Sequence, residues 1–264
     1  MRLRFGGTIS GSTITGGTLV DSPAISMVNH NNIWGLPGRR GFNSELLGQP
    51  GSRHRRKLPR PRLMTLSVAV WDRDDQGTIT APNGKCEELE DNMDTLLGLL
   101  GAGRGGQFMI QDDRQDSTTR WIMAEAGEAF FVEGPLFGEL HAAYTLLCPV
   151  TCAYPFWQSE TLNSDTLSGA DTLTNAGNAP IYNSVLTYSG DGTLTNSDDG
   201  DTGEVSGSSG SVIVDVGART VTQGGSPADA LFIPSDPTWM VFGAGTTNVN
   251  ATVSVGAQWR DHWW

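Results

Sequence analysis

Leu63-Met64-Thr65-Leu66-Ser67-Val68-Ala69-Val70-Trp71 places Met64, Leu66, Val68 and Val70 at every second position, with smaller or polar residues between them. Successive side chains of an extended chain point to opposite faces, so this spacing is that of a strand with one buried side. Next along the chain comes a helix, at about residues 86–100. Leu89, Met93, Leu96, Leu97 and Leu100 form its apolar stripe, and Glu87, Glu88, Glu90 and Asp91 load its first turns, where the helix dipole favours acids. Gly101 and Gly103 are expected to end it. Further strands are expected at 107–111, 120–124, 128–133 and 139–147. The segment 148–156, with Pro149 and Pro155, is expected to close the unit.

Upstream of the decisive strand the periodicity fades. Thr, Ile and Ser alternate between glycines over residues 8–20, which predicts a hairpin. Residues 35–62 read as a long arm, and loops of that length inside compact domains are usually functional.

Beyond residue 157 the composition shifts to Ser, Thr, Gly, Asn and Asp. Short strands are expected at 181–188, 212–216, 219–223, 239–242 and 249–255. Turn signals such as Gly190-Asp191-Gly192, Asp199-Gly200-Asp201 and Gly224-Gly225 separate them. That rhythm is the mark of an antiparallel β-sandwich. The expected fold class is therefore mainly β: an N-terminal β-rich α+β domain over 1–156 with one helix, then a sandwich over 157–264.

Composition narrows the function. Glycine fills 34 of 264 positions and charged residues only 17%, which excludes a coiled coil or helical bundle. With 38% hydrophobic residues the chain has material for real cores. No apolar run is long enough to span a membrane, and residues 1–7 show no secretory h-region, so synthesis in a cytoplasm and no membrane partner are expected. Cys86, Cys148 and Cys152 are too few for a disulfide framework and are expected as reduced, packed thiols.

Chemistry-bearing motifs are scarce. Gly101-Ala102-Gly103-Arg104-Gly105-Gly106 matches G-x-G-x-x-G, but the glycines follow a helix instead of opening one, so they read as a cap and turn. The acidic stretch 196–204 invites Ca²⁺, yet its order of ligands is not that of an EF-hand, and a solvated hairpin loop is the better reading. His30, His54, His141 and His262 stand at no metal-ligand spacing. No nucleophile elbow, P-loop or kinase set occurs. No catalytic residue, cofactor or metal is expected.

Charge is the remaining signal. Net charge is −12, but residues 1–71 carry ten Lys/Arg against Asp21 and Glu45. Six of those bases, Arg53, Arg55, Arg56, Lys57, Arg60 and Arg62, crowd into ten residues with two prolines. Nucleic-acid binding by this run lacks interleaved aromatics for base stacking, and the rest of the chain is acidic. A contact of the extended arm with acidic protein surface is the expected role. The tryptophans of Gln258-Trp259-Arg260-Asp261-His262-Trp263-Trp264 are expected to dock in a core or interface, with carbohydrate stacking as the alternative.

The second domain opens on Leu173-Thr174-Asn175-Ala176-Gly177-Asn178-Ala179-Pro180. It continues through Ser211-Val212-Ile213-Val214-Asp215 and Arg219-Thr220-Val221 to Trp239-Met240-Val241-Phe242-Gly243-Ala244-Gly245 and Asn248. The first ends on Cys148-Pro149 and Tyr154-Pro155-Phe156-Trp157. In that order, over about residues 35–264, the chain resembles the distal tail proteins of long-tailed bacteriophages. It departs from that pattern at Ala244, where proline is usual, and has one extra residue before Asn248. The resemblance implies a galectin-like C-terminal sandwich and a virion tail-tip protein. It further implies a homohexameric ring that joins the tail tube to the tail-tip hub or baseplate, around the channel for genomic DNA. Tail-tube, hub and tape-measure proteins are the partners it implies. The rival class is a carbohydrate-binding β-sandwich module or a glycan-active protein. The second domain offers only His262, Arg219 and Arg260 toward a galectin-type ligand set, and no Trp followed by Glu.

Overall fold

The computed structural model describes residues 2–5, 8–10, 13–15, 18–20, 22, 24–31, 39–40, 44–45, 52–53, 58–74, 76–78, 87–102, 107–113, 119–128, 130–133, 143–235 and 239–264. The chain divides into two compact units, Met1–Pro155 and Phe156–Trp264.

In the first unit the decisive stretch is the strand Arg62–Trp71, with Arg62, Met64, Leu66, Val68 and Val70 buried at alternate positions. It lies between two antiparallel neighbours, Ala143–Cys152 and Ile25–Asn31. The sheet continues from Ala143–Cys152 through Thr119–Ala126, Gln107–Asp113 and Arg2–Phe5 to Thr18–Val20. The expected strands are thus present, those at 107–111 and 120–124 with longer bounds and the 128–133 one shortened to Phe130–Glu133, which pairs with Ala143–Cys152.

Two expectations are corrected here. The strand expected to stop at 147 runs through Pro149 to Cys152. The Pro149 carbonyl accepts the Gly127 N–H at 2.7 Å, on the side where the neighbouring strand changes from Thr119–Ala126 to Phe130–Glu133. A residue's N and C=O face the same edge of an antiparallel strand, so the missing proline N–H falls at that break in the ladder. The glycine-rich N-terminus is also part of this sheet, although its sequence signals only a hairpin. Thr8–Ser10 and Thr13–Thr15 do pair as a hairpin, while Thr18–Val20 returns to Arg2–Phe5.

The helix spans Glu87–Ala102 and packs against the Arg62–Trp71 strand. Leu89, Leu96 and Leu100 are buried, Met93 is half-buried and Leu97 is 41% exposed. Each residue turns the helix by about 100°, which sets Leu97 roughly 80° from Leu89, at the margin of the stripe. Gly101 lies inside the last turn, not beyond it, and Gly103 is outside the described residues. The Asn92 amide fastens the helix to the strand end by donating to the carbonyls of Trp71 and Arg73 at 3.0 and 2.9 Å.

The second unit is organised by one long antiparallel pair, Asn163–Asn175 with Gly245–Trp259. The sequence reading missed the first of these strands, because Ser, Asp, Gly and Thr disguise an alternation that buries only Leu167, Leu173 and Asn175. On its other edge, Gly245–Trp259 takes Gly192–Asn196 along its first half and Val185–Tyr188 along its second. The sheet extends from Gly192–Asn196 through Thr202–Val205 to Phe232–Pro234. From Val185–Tyr188 it runs through Val212–Asp215 and Thr220–Gln223 to Ser226–Pro227. The inward residues of both halves, among them Leu186, Val214, Leu194, Val205 and Phe232, meet in one core. This is a β-sandwich whose two layers share their longest strands. The strand expected at 239–242 is only a bridge between Ile181 and Phe242, and Trp239 sits at φ 63°, a turn conformation.

Candidate functional site

The motif Asn175-Ala176-Gly177-Asn178-Ala179-Pro180 folds around the last described residues of the second unit. The Asn175 side chain is buried, and its Nδ2 donates to the carbonyls of Ala179 at 2.7 Å and Gly243 at 3.1 Å. Its Oδ1 accepts the N–H groups of Gly177 at 3.0 Å and His262 at 3.2 Å. Two donors and two acceptors are all that a carboxamide offers, so the group is fully used. The remaining residues grip the same segment. The Ala176 N–H donates to Asp261 Oδ1 at 2.9 Å, the Ala179 N–H to the His262 carbonyl at 3.0 Å, and the Trp264 N–H to Asn178 Oδ1 at 3.0 Å. Gly177 passes so close that a Cβ there would overlap the His262 carbonyl and lie 2.7 Å from the His262 nitrogen.

From the other side, Trp157–Ser159 pairs with His262–Trp263. Arg260 is buried there, and its Nη1 donates to the carbonyls of Ser159, at 2.9 Å, and Glu160. Burial lowers its pKa, with Glu160 acting in the opposite direction. The Phe156 ring stacks on those of Tyr182 and His262, nearly parallel to both at centroid distances of 5.4 and 5.7 Å. The His262 imidazole is wholly buried, and its Nδ1 lies 3.0 Å from the Pro180 carbonyl. A carbonyl only accepts, so Nδ1 carries the proton. Burial drives the pKa of His262 down to about 4, against the smaller upward pull of the Pro180 carbonyl. The residue is a neutral structural ring, closed to ligand.

Among the described residues, the bases singled out by the sequence do not share one environment. Arg39–Arg40 pairs with Leu58–Pro59, and Ser44–Glu45 with Ser52–Arg53. The arm therefore folds back on itself instead of running as a single extended segment, because ladder pairing satisfies backbone groups that an extended chain leaves to water. Arg53 belongs to one of these ladders and Arg60 is exposed, while Arg55, Arg56 and Lys57 lie outside the described residues. Arg62 is 1% exposed, at the start of the strand opposite Cys152. Desolvation lowers its pKa, and its burial takes it out of the set of bases open to a partner. Burial likewise pushes Cys148 up to about 11 and Cys152 up to about 12, which keeps both thiols protonated.

The other candidates are structural as well. Trp259 is buried and its Nε1 donates to the Thr174 carbonyl at 3.2 Å, so it offers no face to a sugar. Arg219 stands in an exposed turn at φ 57°, whereas His262 and Arg260 are buried, so the three make no galectin-type ligand set. In the 196–204 loop, Asp198 accepts the N–H and Nδ2 of Asn248 at 2.9 and 2.8 Å, and Asn196 Nδ2 donates to the Val241 carbonyl at 2.8 Å. Among the described residues no group of three or more His, Cys, Asp or Glu gathers where it would hold a metal ion, and no helix is long and apolar enough to cross a membrane.

The fold has a solved counterpart. The SPP1 Dit protein is described as a paradigm of the hub adsorption apparatus in phages infecting Gram-positive bacteria. It matches with a TM-score of 0.60 at 12% identity, over 91% of this chain and 94% of its own. This chain has the fold of SPP1 Dit. Two structures of the phage P2 baseplate in its activated conformation, with Ca and with Sr, give TM-scores of 0.44 and 0.42 at 8% and 7% identity. They cover 99% and 98% of this chain and 98% of each counterpart. No family model and no curated protein matches the sequence.

Proposed function

We propose that the chain is a structural protein of a phage tail tip, a distal tail protein that works by assembly and shape without catalysis. In this reading the first unit closes a hexameric ring around the channel for the genome. The second unit, a galectin-like sandwich, projects outward. The ring joins the tail tube to the hub, with the tape-measure protein as a further neighbour. The likeness to SPP1 Dit over 91% of this chain and 94% of that one is the observation that carries it, since a match of that extent takes in both units of this chain.

The charge imbalance suggests how copies meet. Head-to-tail contacts in a ring set one patch against a different patch on the neighbour. Arg53, Arg55, Arg56, Lys57 and Arg60 supply the positive patch, and the acidic remainder of the next copy supplies the other. Each exposed pair contributes only ~0–1 kcal/mol and is screened by salt.

Light scattering coupled to size exclusion, with negative-stain electron microscopy, tests the reading. The expected result is a mass near that of a hexamer, or rings after mixing with tail-tube protein. A strict monomer under both conditions counts against it. Replacing the five arm residues with Ser should weaken assembly and flatten its salt dependence.

A further inference from the structure

The Asn163–Asn175 strand is 13 residues long and, among the described residues, pairs on one edge only. A typical strand has about 5–6 residues, and a long unpaired edge is a template for another chain. The sheet's two other ends are Ser226–Pro227 and Phe232–Pro234, each short and each carrying a proline. The long edge has neither protection. Its exposed residues Ser164, Thr166, Ser168, Ala170 and Thr172 are small and present no steric obstacle.

Side chains occupy its donors instead. The Thr166 N–H donates to Asp165 Oδ1 at 2.7 Å, the Thr172 N–H to Asp171 Oδ1 at 2.8 Å, and the Ser168 N–H to Asp171 Oδ2 at 3.4 Å. Between the two aspartates the register shifts from Leu167 to Gly169, and Gly169 adopts φ 60°. Nothing lies within 4 Å of a Cβ built there, so space does not dictate this glycine. The kink itself requires the left-handed conformation.

We propose that Asp165 and Asp171 hold this edge closed against a second copy of the chain. Two identical edges are self-complementary about a twofold axis, so the same chain is the partner against which the edge most needs closing. The inference is independent of ring assembly, which uses the first unit.

Sedimentation velocity of the full chain over a tenfold concentration range tests it. The double variant Asp165→Ala/Asp171→Ala should associate beyond the state that wild type reaches. Adding Thr166→Pro, which removes one edge donor, should reverse that association. Asp165→Asn/Asp171→Asn keeps a side-chain oxygen for each N–H and should behave as wild type. Melting curves confirm that each variant is folded, and the single variants Asp165→Ala and Asp171→Ala replace the alanine pair if that one is not. No added association in the folded variant overturns the proposal. So does association that the proline leaves unchanged, or association of the asparagine pair equal to that of the alanine pair.

Discussion

Gly177 and His262 are backbone neighbours across 85 residues of sequence: the His262 carbonyl lies where a side chain at position 177 would begin. The contact is possible only for glycine, and it brings the Asn175–Pro180 turn down onto the segment that ends the sandwich. Gly177→Ala must therefore displace that segment. Overpacking of this kind costs roughly 1–3 kcal/mol and more where backbone is the obstacle. Urea titration of the full chain should show the loss. Gly190→Ala is the control, because nothing lies within 4 Å of a Cβ there, and it should shift stability by less than about 0.5 kcal/mol.

Asn175 has a stronger effect than its size suggests. Asn175→Ala strands the N–H groups of Gly177 and His262 and two carbonyls that the amide now serves. Each buried polar group left unmatched costs about 1–3 kcal/mol, so a loss of roughly 3–5 kcal/mol is expected. Asn175→Asp should be no better, since it keeps the acceptors, loses both donors and buries a charge. Thermal melts of both variants check this, and an Asn175→Ala variant within 1 °C of wild type would contradict it.

His262 makes stability depend on pH. Its folded pKa of about 4 lies below the ordinary value of 6.5, so between those values the unfolded chain binds the proton first. Stability from this group is fully present above about pH 6.5 and declines as pH falls toward 4, by at most on the order of 3 kcal/mol. Asp191 and Asp198 are depressed by hydrogen bonds from Ser208 and Asn248, so they lose stabilisation in acid too, below the ordinary carboxylate range. His262→Gln should remove the slope between pH 6.5 and 4 while leaving the carboxylate-dependent decline. Denaturant midpoints across that window are the measurement.

Cys148 and Cys152 should resist alkylation in the folded protein. Both are buried and hold their protons far above neutral pH. In a Cys86→Ser background, iodoacetamide at pH 8 should add nothing to the intact mass until denaturant is present. Rapid native labelling would show that the Ala143–Cys152 strand opens.

The helix, the alternating strands from Arg62 to Cys152 and the turn-rich rhythm of the second unit were legible in the sequence, because each depends on periodicity among neighbours along the chain. The tryptophan-rich end was legible as a docked segment, since exposed indoles there would be unfavourable. What it docks against was not. Asn175 and His262 give no local sign of their partnership, and each alone reads as an ordinary polar residue. Arg62 looked like the last member of a basic arm, because charge counting treats adjacent residues alike. Strand alternation turns it inward with Met64 and Leu66, and this could have been read from the sequence.

Hydrophobic spacing and turn residues by themselves determined that this is a two-unit, mainly β protein, with one α-helix among the described residues. Those signals are local, and they survive whatever the chain later packs against. Tertiary structure alone decided that Arg2–Phe5 joins the first sheet. It also decided that Asn163–Asn175 and Gly245–Trp259 are shared by both layers of the sandwich, and that a six-residue turn closes over His262. Backbone hydrogen bonds between distant segments make those choices. Every residue but proline carries the same N–H and C=O, so the sequence does not label which partner each will find.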